Sequence, residues 1–361
     1  MLDQLPPKIT NIQRVQMGVY QHAVYDNIIR AHTERRTMRA SNEKYDALDE
    51  ALGKGKTIDK SDSSEQLVSA VDGDDESASI VRSLNASEAR NIFTALRKAA
   101  NHPLLLRNKY TSEEILKRMT DTAIVFEHFG NKIKDFERVK AELMKFNDYD
   151  LHLLCLMYKS YLGDLVLANE TLYDSPKLCW MRDHLPEMIQ QGHRVLIFSQ
   201  WQMILDLLGV FLNDMEINFL RLDGNTKVSE RQEMVDKFQT PAPKGQQHEV
   251  PVFILSTKAG GLGVNLTAAD TVILHDLDFN PENDRQAEDR SHRIGQTREV
   301  RVFKLVTSST VDEDIFEMGA KKSLMTEAVL NDKGKNSDDI GEVGAIGRIL
   351  QNAIQRFKTP T

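Results

Sequence analysis

Cysteine is nearly absent from this chain: two in 361 residues, Cys155 and Cys179, with no metal-ligand spacing around either. That excludes a disulfide framework and a thiolate zinc site, and it fits a reducing compartment. Long apolar runs are missing too. No uninterrupted stretch approaches the roughly 20 residues that a membrane span needs, and the N-terminus has no signal-peptide pattern. The expectation is a soluble intracellular chain with no membrane partner. A phosphate-binding loop is also lacking. Gly55, Lys56 and Thr57 imitate the end of one, but Glu50 stands where the motif needs glycine, and no apolar strand precedes it. Positive charge is in deficit, with 46 Lys and Arg against 54 Asp and Glu and a net charge of −8. The deficit is local. Residues 41–82 hold eleven acids and five bases, and residues 331–342 hold four and two, which leaves the remainder near neutral. Net charge therefore does not exclude a nucleic-acid partner.

What is present is apolar patterning. At 361 residues and 40% hydrophobic, the chain has length for two or three domains and ample core. Gln4-Leu5-Pro6-Pro7-Lys8 is an extended, proline-fixed lead-in. Met17, Tyr20, Val24, Ile28 and Ala31 then recur at helical spacing. Residues 41–83, polar and acidic, read as a disordered insertion. Ser87 is placed to cap a helix with Ala89, Ile92, Phe93 and Leu96 on its apolar face, closed by Asn101-His102-Pro103. Helical patterning continues from Thr111 to Leu172, where Thr111 to Glu114 fits a capping box. Leu151, Leu154, Tyr158 and Tyr161 give a buried stripe; His152 and Cys155 beside it lack clustered partners and read as packing, not metal ligands. Residues 1–40 and 84–172 are thus expected to form a helical region.

At Ser175 the texture changes. Short apolar runs at Arg194–Gln200, Phe219–Gly224, Val250–Ser256, Thr271–His275 and Val300–Val306 alternate with helical segments. Apolar strands separated by helices indicate an α/β fold with a parallel sheet covered on both faces, here over residues 173–310. Ligands of such sheets bind beyond the carboxyl ends of the strands. Ser199, Gln200, Asp223, Gly224, Ser256, Thr257, Lys258 and Asp276 fall there. Thr310 and Glu313 have capping-box spacing for a helix over 311–330. A linker over 331–345 leads to a last amphipathic helix over 346–358, with Ile346, Leu350 and Ile354 on one face.

One short segment stands apart. Pro281 and Gly295 mark out a helix on which Gln286, Arg290 and Arg293 fall at i, i+4 and i+7, and so project from one face. Paired guanidiniums on a rigid element suit a polyphosphate, since each offers a planar fork of donors that never deprotonates. The competing reading is a solvated face in which Glu282, Asp284, Glu288 and Asp289 pair with the arginines.

Four signals recur in order: Val195-Leu-Ile-Phe-Ser-Gln-Trp201, Arg221-Leu-Asp-Gly224, Leu255 to Leu266 with its Ser-Thr-Lys-Ala-Gly-Gly-Leu-Gly core, and Gln286 to Gln296 with its His-Arg-Ile-Gly-Gln end. Together they resemble the second RecA-like lobe of the SWI/SNF-type DNA-dependent ATPases, over about Ser175 to Leu330. Leu5-Pro-Pro-Lys8 and Leu96 to Pro103 resemble the all-helical protrusion that precedes this lobe, with C-terminal helices after it. Leu151 to Cys155 and His275 to Pro281 are most similar to the SMARCAD-type branch of chromatin remodellers.

The resemblance implies roles. Arg290 and Arg293 become arginine fingers that reach across an interlobe cleft to the γ-phosphate of ATP. Gln286, Gly261, Gly263 and Asn265 become nucleotide-side residues. Gln200, Trp201, Ser256, Thr257 and Lys258 become DNA contacts, with Trp201 equally readable as a core aromatic. Phe279 stands where many members carry a tryptophan wedge against DNA, and a phenylalanine there reads either as a wedge or as core. Pro176 replaces a glycine usual before Lys177. No Asp-Glu box follows a strand, so ATP and Mg would be held mainly by a first RecA-like lobe of the same polypeptide, with no cofactor tightly bound here and no resident metal. Met1 directly before the leucine-proline lead-in implies a shortened chain. The full protein implied is a nuclear, ATP-driven translocase on double-stranded DNA and nucleosomes, and this part of it a monomer that folds without turning over ATP. Two alternatives are an RNA helicase lobe of the same superfamily and a non-catalytic RecA-like scaffold for nucleic acid or partner proteins.

Overall fold

Side chains alternate across each strand of a sheet, so a strand buried on both faces feeds two cores at once. In the computed structural model, which describes residues 5–34, 76–241, 248–260, 264–331 and 342–358, that alternation organises the molecule. The strands are β1 (Lys8–Val15), β2 (Val195–Ser199), β3 (Phe219–Leu222), β4 (Val252–Ser256), β5 (Thr271–Leu274) and β6 (Val300–Thr307). They form one sheet in the order β1-β6-β5-β2-β4-β3, with every pairing parallel.

Leu196, Phe198, Phe253, Leu255, Val272, Leu274, Val302 and Val306 enter one core. Val195, Ile197, Val252, Ile254, Ile273 and Leu305 enter the other. The first is covered by the helices Ala86–Asn101, Val228–Gln239, Pro281–Glu288 and Val311–Asn331, the second by Pro176–Gln190 and Gln202–Asp214. Each buried Val, Leu, Ile or Phe contributes about 1.5–3 kcal/mol, which is why strands this short suffice. The expected parallel sheet covered on both faces is the observed architecture.

The structure differs from the sequence reading at several points. Residues 8–15 are not part of a helical region; they are edge strand β1, paired along its whole length with β6. Five of its eight residues are polar and none is fully buried, so apolar content alone does not mark it as a strand. Within the span read as a disordered insertion, Glu76–Arg82 is a helix, because Ala78 and Val81 are fully buried beneath the C-terminal helix; residues 35–75 lie outside the described residues. The C-terminal helix starts at Glu342, earlier than expected, and buries Ile346, Leu350 and Ile354 against the first core. The helical region is also divided. Helices 19–34 and Ala86–Asn101 share the lobe's first core, whereas Leu116, Met119, Val139, Leu143, Leu151 and Leu154 close a separate one.

Caps shift as well. Asn85, not Ser87, caps Ala86–Asn101, in a reciprocal box with Glu88 at 2.8 and 3.2 Å. Ser112 and Lys227 occupy N-cap positions without a side-chain cap bond. The Thr310 hydroxyl does cap, accepting the Asp312 amide at 3.1 Å, while Glu313 accepts that of Ser309 at 2.9 Å.

Candidate functional site

The carboxyl ends of β2, β3 and β4 surround a cleft of about 350 Å³ lined by Gln200, Gln202, Asp223, Gly224, Arg231, Ser256 and Lys258. Parallel strands all end on this side, so their terminal residues converge here. Asp223 is committed: Arg221 holds it at 2.7 Å, and Arg221 also reaches Asp206 at 2.5 Å. Burial pushes the Asp223 carboxyl up, but the Asn225 amide and Arg221 outweigh it and hold the carboxyl below its usual value. Lys258 is exposed, and among the described residues its ammonium has no partner. The open charge of the cleft is therefore positive, which suits an anion.

One wall is set by Asp276, the second residue past β5. Its carboxylate accepts the Ser199 hydroxyl and, at 3.0 Å, the Gln200 amide, while the Ser199 oxygen accepts the Trp201 amide at 3.1 Å. Asp276 is buried. Burial pushes its carboxyl up, yet His275, Ser199 and the Gln200 amide together hold it below the usual carboxylate range. The His275 ring lies 3.6 Å from this carboxylate, and burial lowers its own pKa against the pull of Asp276.

Gln200, Ser256 and Lys258 thus share the cleft. Thr257 is buried beside it. Trp201 turns towards the helix Ala86–Asn101: Arg97 and Lys98 stand 5.6 and 5.8 Å from its ring, and its indole nitrogen is buried without a partner. Phe279 meets Phe93 edge-on at 6.2 Å, with Lys322 5.2 Å from its ring. Both aromatics are half-buried against the helical elements.

The arginine segment does not form the single helix expected from Pro281 to Gly295. Asn280 caps it, Pro281 opens it, and it stops at Glu288. Beyond that the Arg290 carbonyl accepts the Leu266 amide at 2.9 Å and is lost to a helical ladder. The Gln296 side-chain amide draws in the carbonyls of Thr267, Ala269 and Ser291 at 3.1, 2.7 and 3.1 Å. Gly295 takes φ +104°, which favours glycine. Gln286 is exposed on the helix, while Arg290 and Arg293 sit on the turn after it, so the i, i+4, i+7 face does not exist.

The acids meant to neutralise the arginines are engaged elsewhere. Glu282 pairs with Arg285 at 2.7 Å. Glu288 pairs with Lys8 and Lys304, each at 2.9 Å, and Lys8 also lies 3.7 Å from Asp289. Asp284 accepts the Asp278 amide at 3.0 Å. Burial, with help from Asp278 and Asp276, pushes the Asp284 carboxyl up to about 7. Among the described residues Arg290 and Arg293 have no carboxylate partner, and the Arg290 Nε is buried with no hydrogen-bond acceptor. Two unpaired guanidiniums, one with an orphaned donor, fit a polyphosphate. The segment leading into β1 steadies the turn, since the His292 Nε2 donates to the Pro6 carbonyl at 2.8 Å.

Gly261 and Gly263 lie outside the described residues. Asn265 is exposed, and its carbonyl accepts the Gln239 amide at 3.0 Å. Among the described residues no cluster of His, Cys, Asp or Glu is arranged to hold a metal, and no helix is long and apolar enough to cross a membrane. Sequence reasoning missed Lys8, His292 and Gln296 as determinants of the site. Only the residue types in the motif around Gln296 hinted at the last of these.

The helicase conserved C-terminal domain family matches residues 177–295. Whole-chain comparisons narrow the class. A solved structure described as the C-terminal part of Fun30 ATPase domain superposes with a TM-score of 0.70 at 32% identity, covering 98% of both chains. The Arabidopsis thaliana protein CHROMATIN REMODELING 19 is 37% identical over 98% of this chain. The Saccharomyces cerevisiae ATP-dependent helicase FUN30 is 34% identical over 94%. The chain belongs to the Fun30-type family of chromatin remodellers, as the C-terminal part of its ATPase domain. It spans 42% and 26% of the length of those two relatives.

Proposed function

We propose that this chain supplies the second half of an ATP-driven, DNA-translocating motor that acts on nucleosomes in the nucleus. The observation that carries this reading is the pair of guanidiniums at Arg290 and Arg293, beside acids that are each engaged elsewhere. Phosphoryl transfer spreads charge over oxygens that fixed cations stabilise, an effect worth about 10³–10⁵ in rate where an arginine finger is in place. Arg290 and Arg293 would hold the γ-phosphate end of ATP-Mg, with Gln286, Gly261, Gly263 and Asn265 on the nucleotide side. ATP-Mg supplies the phosphoanhydride that is hydrolysed. The rest of its binding site belongs to a first RecA-like lobe in the same polypeptide.

The strand-end cleft takes DNA backbone. Lys258, Ser256 and Gln200 offer a cation and polar groups at one edge, which positions a phosphate without reading sequence. Trp201 and Phe279 contact or support the duplex from the helical side. The relatives' names, an ATP-dependent helicase and a chromatin remodelling protein, support the same reading.

Two measurements test it. In the full-length protein, duplex DNA should stimulate ATP hydrolysis and RNA should not; equal stimulation by RNA points to an RNA helicase, and no stimulation by either points to a scaffold. The 361-residue chain alone should bind duplex DNA with an affinity that falls as salt rises and should show no DNA-stimulated turnover. Binding indifferent to salt contradicts phosphate contacts from Lys258.

A further inference from the structure

Lys177 is fully buried, a costly place for a charge unless each donor is satisfied. An ammonium has three N–H donors and no acceptor. All three are used here. Lys177 Nζ donates to Asn101 Oδ1 at 2.9 Å, to the His275 carbonyl at 2.9 Å and to Asp312 Oδ2 at 2.5 Å. The acceptors come from three elements: the last residue of the Ala86–Asn101 helix, the residue just past β5, and the first turn of the Val311–Asn331 helix. Neighbouring bonds lock the helical side. The Ser175 hydroxyl donates to the Asn101 carbonyl at 3.0 Å, and the Thr307 hydroxyl to that of Ala100 at 2.9 Å.

From this tripod a short path leads to the cleft. The residue after His275 is Asp276, whose carboxylate holds the Ser199 hydroxyl and the Gln200 amide. Gln200 lines the cleft and Trp201 follows it. Arg97 adds a parallel tie, donating to the Leu277 carbonyl at 2.9 Å. We propose that Lys177 is a positioning residue for the strand-end cleft: one buried ammonium sets the Ser199–Trp201 loop by tying the end of β5 to two helices that do not line the cleft. The ligand it serves, a nucleic-acid phosphate, rests on the reading of that cleft given above.

A buried ion pair that merely holds the fold can be replaced by apolar residues of similar volume with little loss, because neither partner is left charged and alone. A positioning role cannot be replaced that way, since the tether to the His275 carbonyl is gone. The test is therefore the double variant Lys177→Met with Asp312→Leu, in the 361-residue chain and in a Trp180→Phe background that leaves Trp201 as the sole tryptophan. Three readouts are taken: the urea midpoint, the affinity for a short duplex DNA by fluorescence anisotropy, and the emission maximum of Trp201. The midpoint should fall modestly, because the buried Asn101 and His275 acceptors lose the Lys177 donor, while DNA affinity falls about fivefold to tenfold and Trp201 emission shifts, the scale of one lost charge-assisted hydrogen bond. Parental affinity and parental emission in a stable double variant overturn the proposal. If the parent itself does not bind duplex DNA, the phosphate reading of the cleft fails, and Trp201 emission still decides the positioning role. If the double variant does not fold, Asn101→Ala carries the test, because it removes one leg and keeps the ion pair. A twofold to threefold loss with a smaller emission shift is expected there, and unchanged values overturn the proposal.

Discussion

The arginines of the 290–293 turn and those gathered at the strand starts meet opposite fates, although Arg293 and Arg298 lie in one short segment. Arg298 reaches Asp270 at 2.6 Å and the Gly192 carbonyl at 3.0 Å. Arg301 donates to His193 Nε2, so His193 carries its proton on Nδ1 and gives it to Asp270 at 3.0 Å. Arg194 donates to the Thr240 carbonyl at 2.8 Å. Each guanidinium in that cluster has a partner in the fold, although the Arg194 Nε, like that of Arg290, is buried without one. Arg290 and Arg293, with acids all around them in sequence, have no carboxylate partner among the described residues because Lys8, Lys304 and Arg285 take two of those acids first and Lys8 also flanks a third. The availability of an arginine is thus decided by which cations compete for its neighbours, not by the neighbours themselves.

The sharpest way to break the comparison is Arg293→Ala in the full-length protein. DNA-stimulated ATP hydrolysis should fall about 10³-fold with an unchanged melting temperature, because no contact of the fold is lost. A variant that still moves nucleosomes at the parental rate would remove the turn from the motor. Arg298→Ala should do the reverse. Asp270 is buried and loses one of its partners, at a cost of about 2–3 kcal/mol, read as a lower urea midpoint, while hydrolysis per folded molecule stays near parental. Loss of activity without loss of stability would mean that the two clusters are not separate in role.

A smaller effect concerns Asp284, near Arg290 and Arg293, whose carboxyl is pushed up by burial against the opposing pull of Lys304. Its folded pKa of about 7 lies above the unfolded carboxylate value, so the folded state binds the extra proton between them. Its contribution to stability is full below about pH 4 and is lost as pH rises through 7. Asp284→Asn, which keeps an acceptor for the Asp278 amide, should therefore flatten the fall in stability between pH 5 and pH 8 by about 2 kcal/mol. Unfolding curves at both pH values check this; an identical pH dependence in parent and variant would show that Asp284 is already ionised in the fold.

How much of this was legible beforehand varies by element. β2, β4 and β5 were readable because strands buried on both faces are apolar throughout, a property of the local sequence. Edge strand β1 was not, since five of the eight residues of Lys8–Val15 are polar and the segment becomes a strand only by pairing with β6, far along the chain. The motif residues Gln200, Ser256 and Lys258 were rightly grouped at strand ends and do line one cleft. The single helix from Pro281 to Gly295 was misread, because a tertiary bond from Leu266 to the Arg290 carbonyl ends the ladder early.

By itself, then, the sequence determined the periodicities: a parallel sheet with two covered faces, the family motifs and their order along the strand ends. Those depend on side chains a few residues apart. Only the tertiary structure decided which charges are free. Lys8 meets Glu288 across 280 positions of chain, and Lys177 meets Asp312 across 135. Pairings of that kind depend on which elements fold side by side, and that is why the two arginines are left unpaired only in the folded chain.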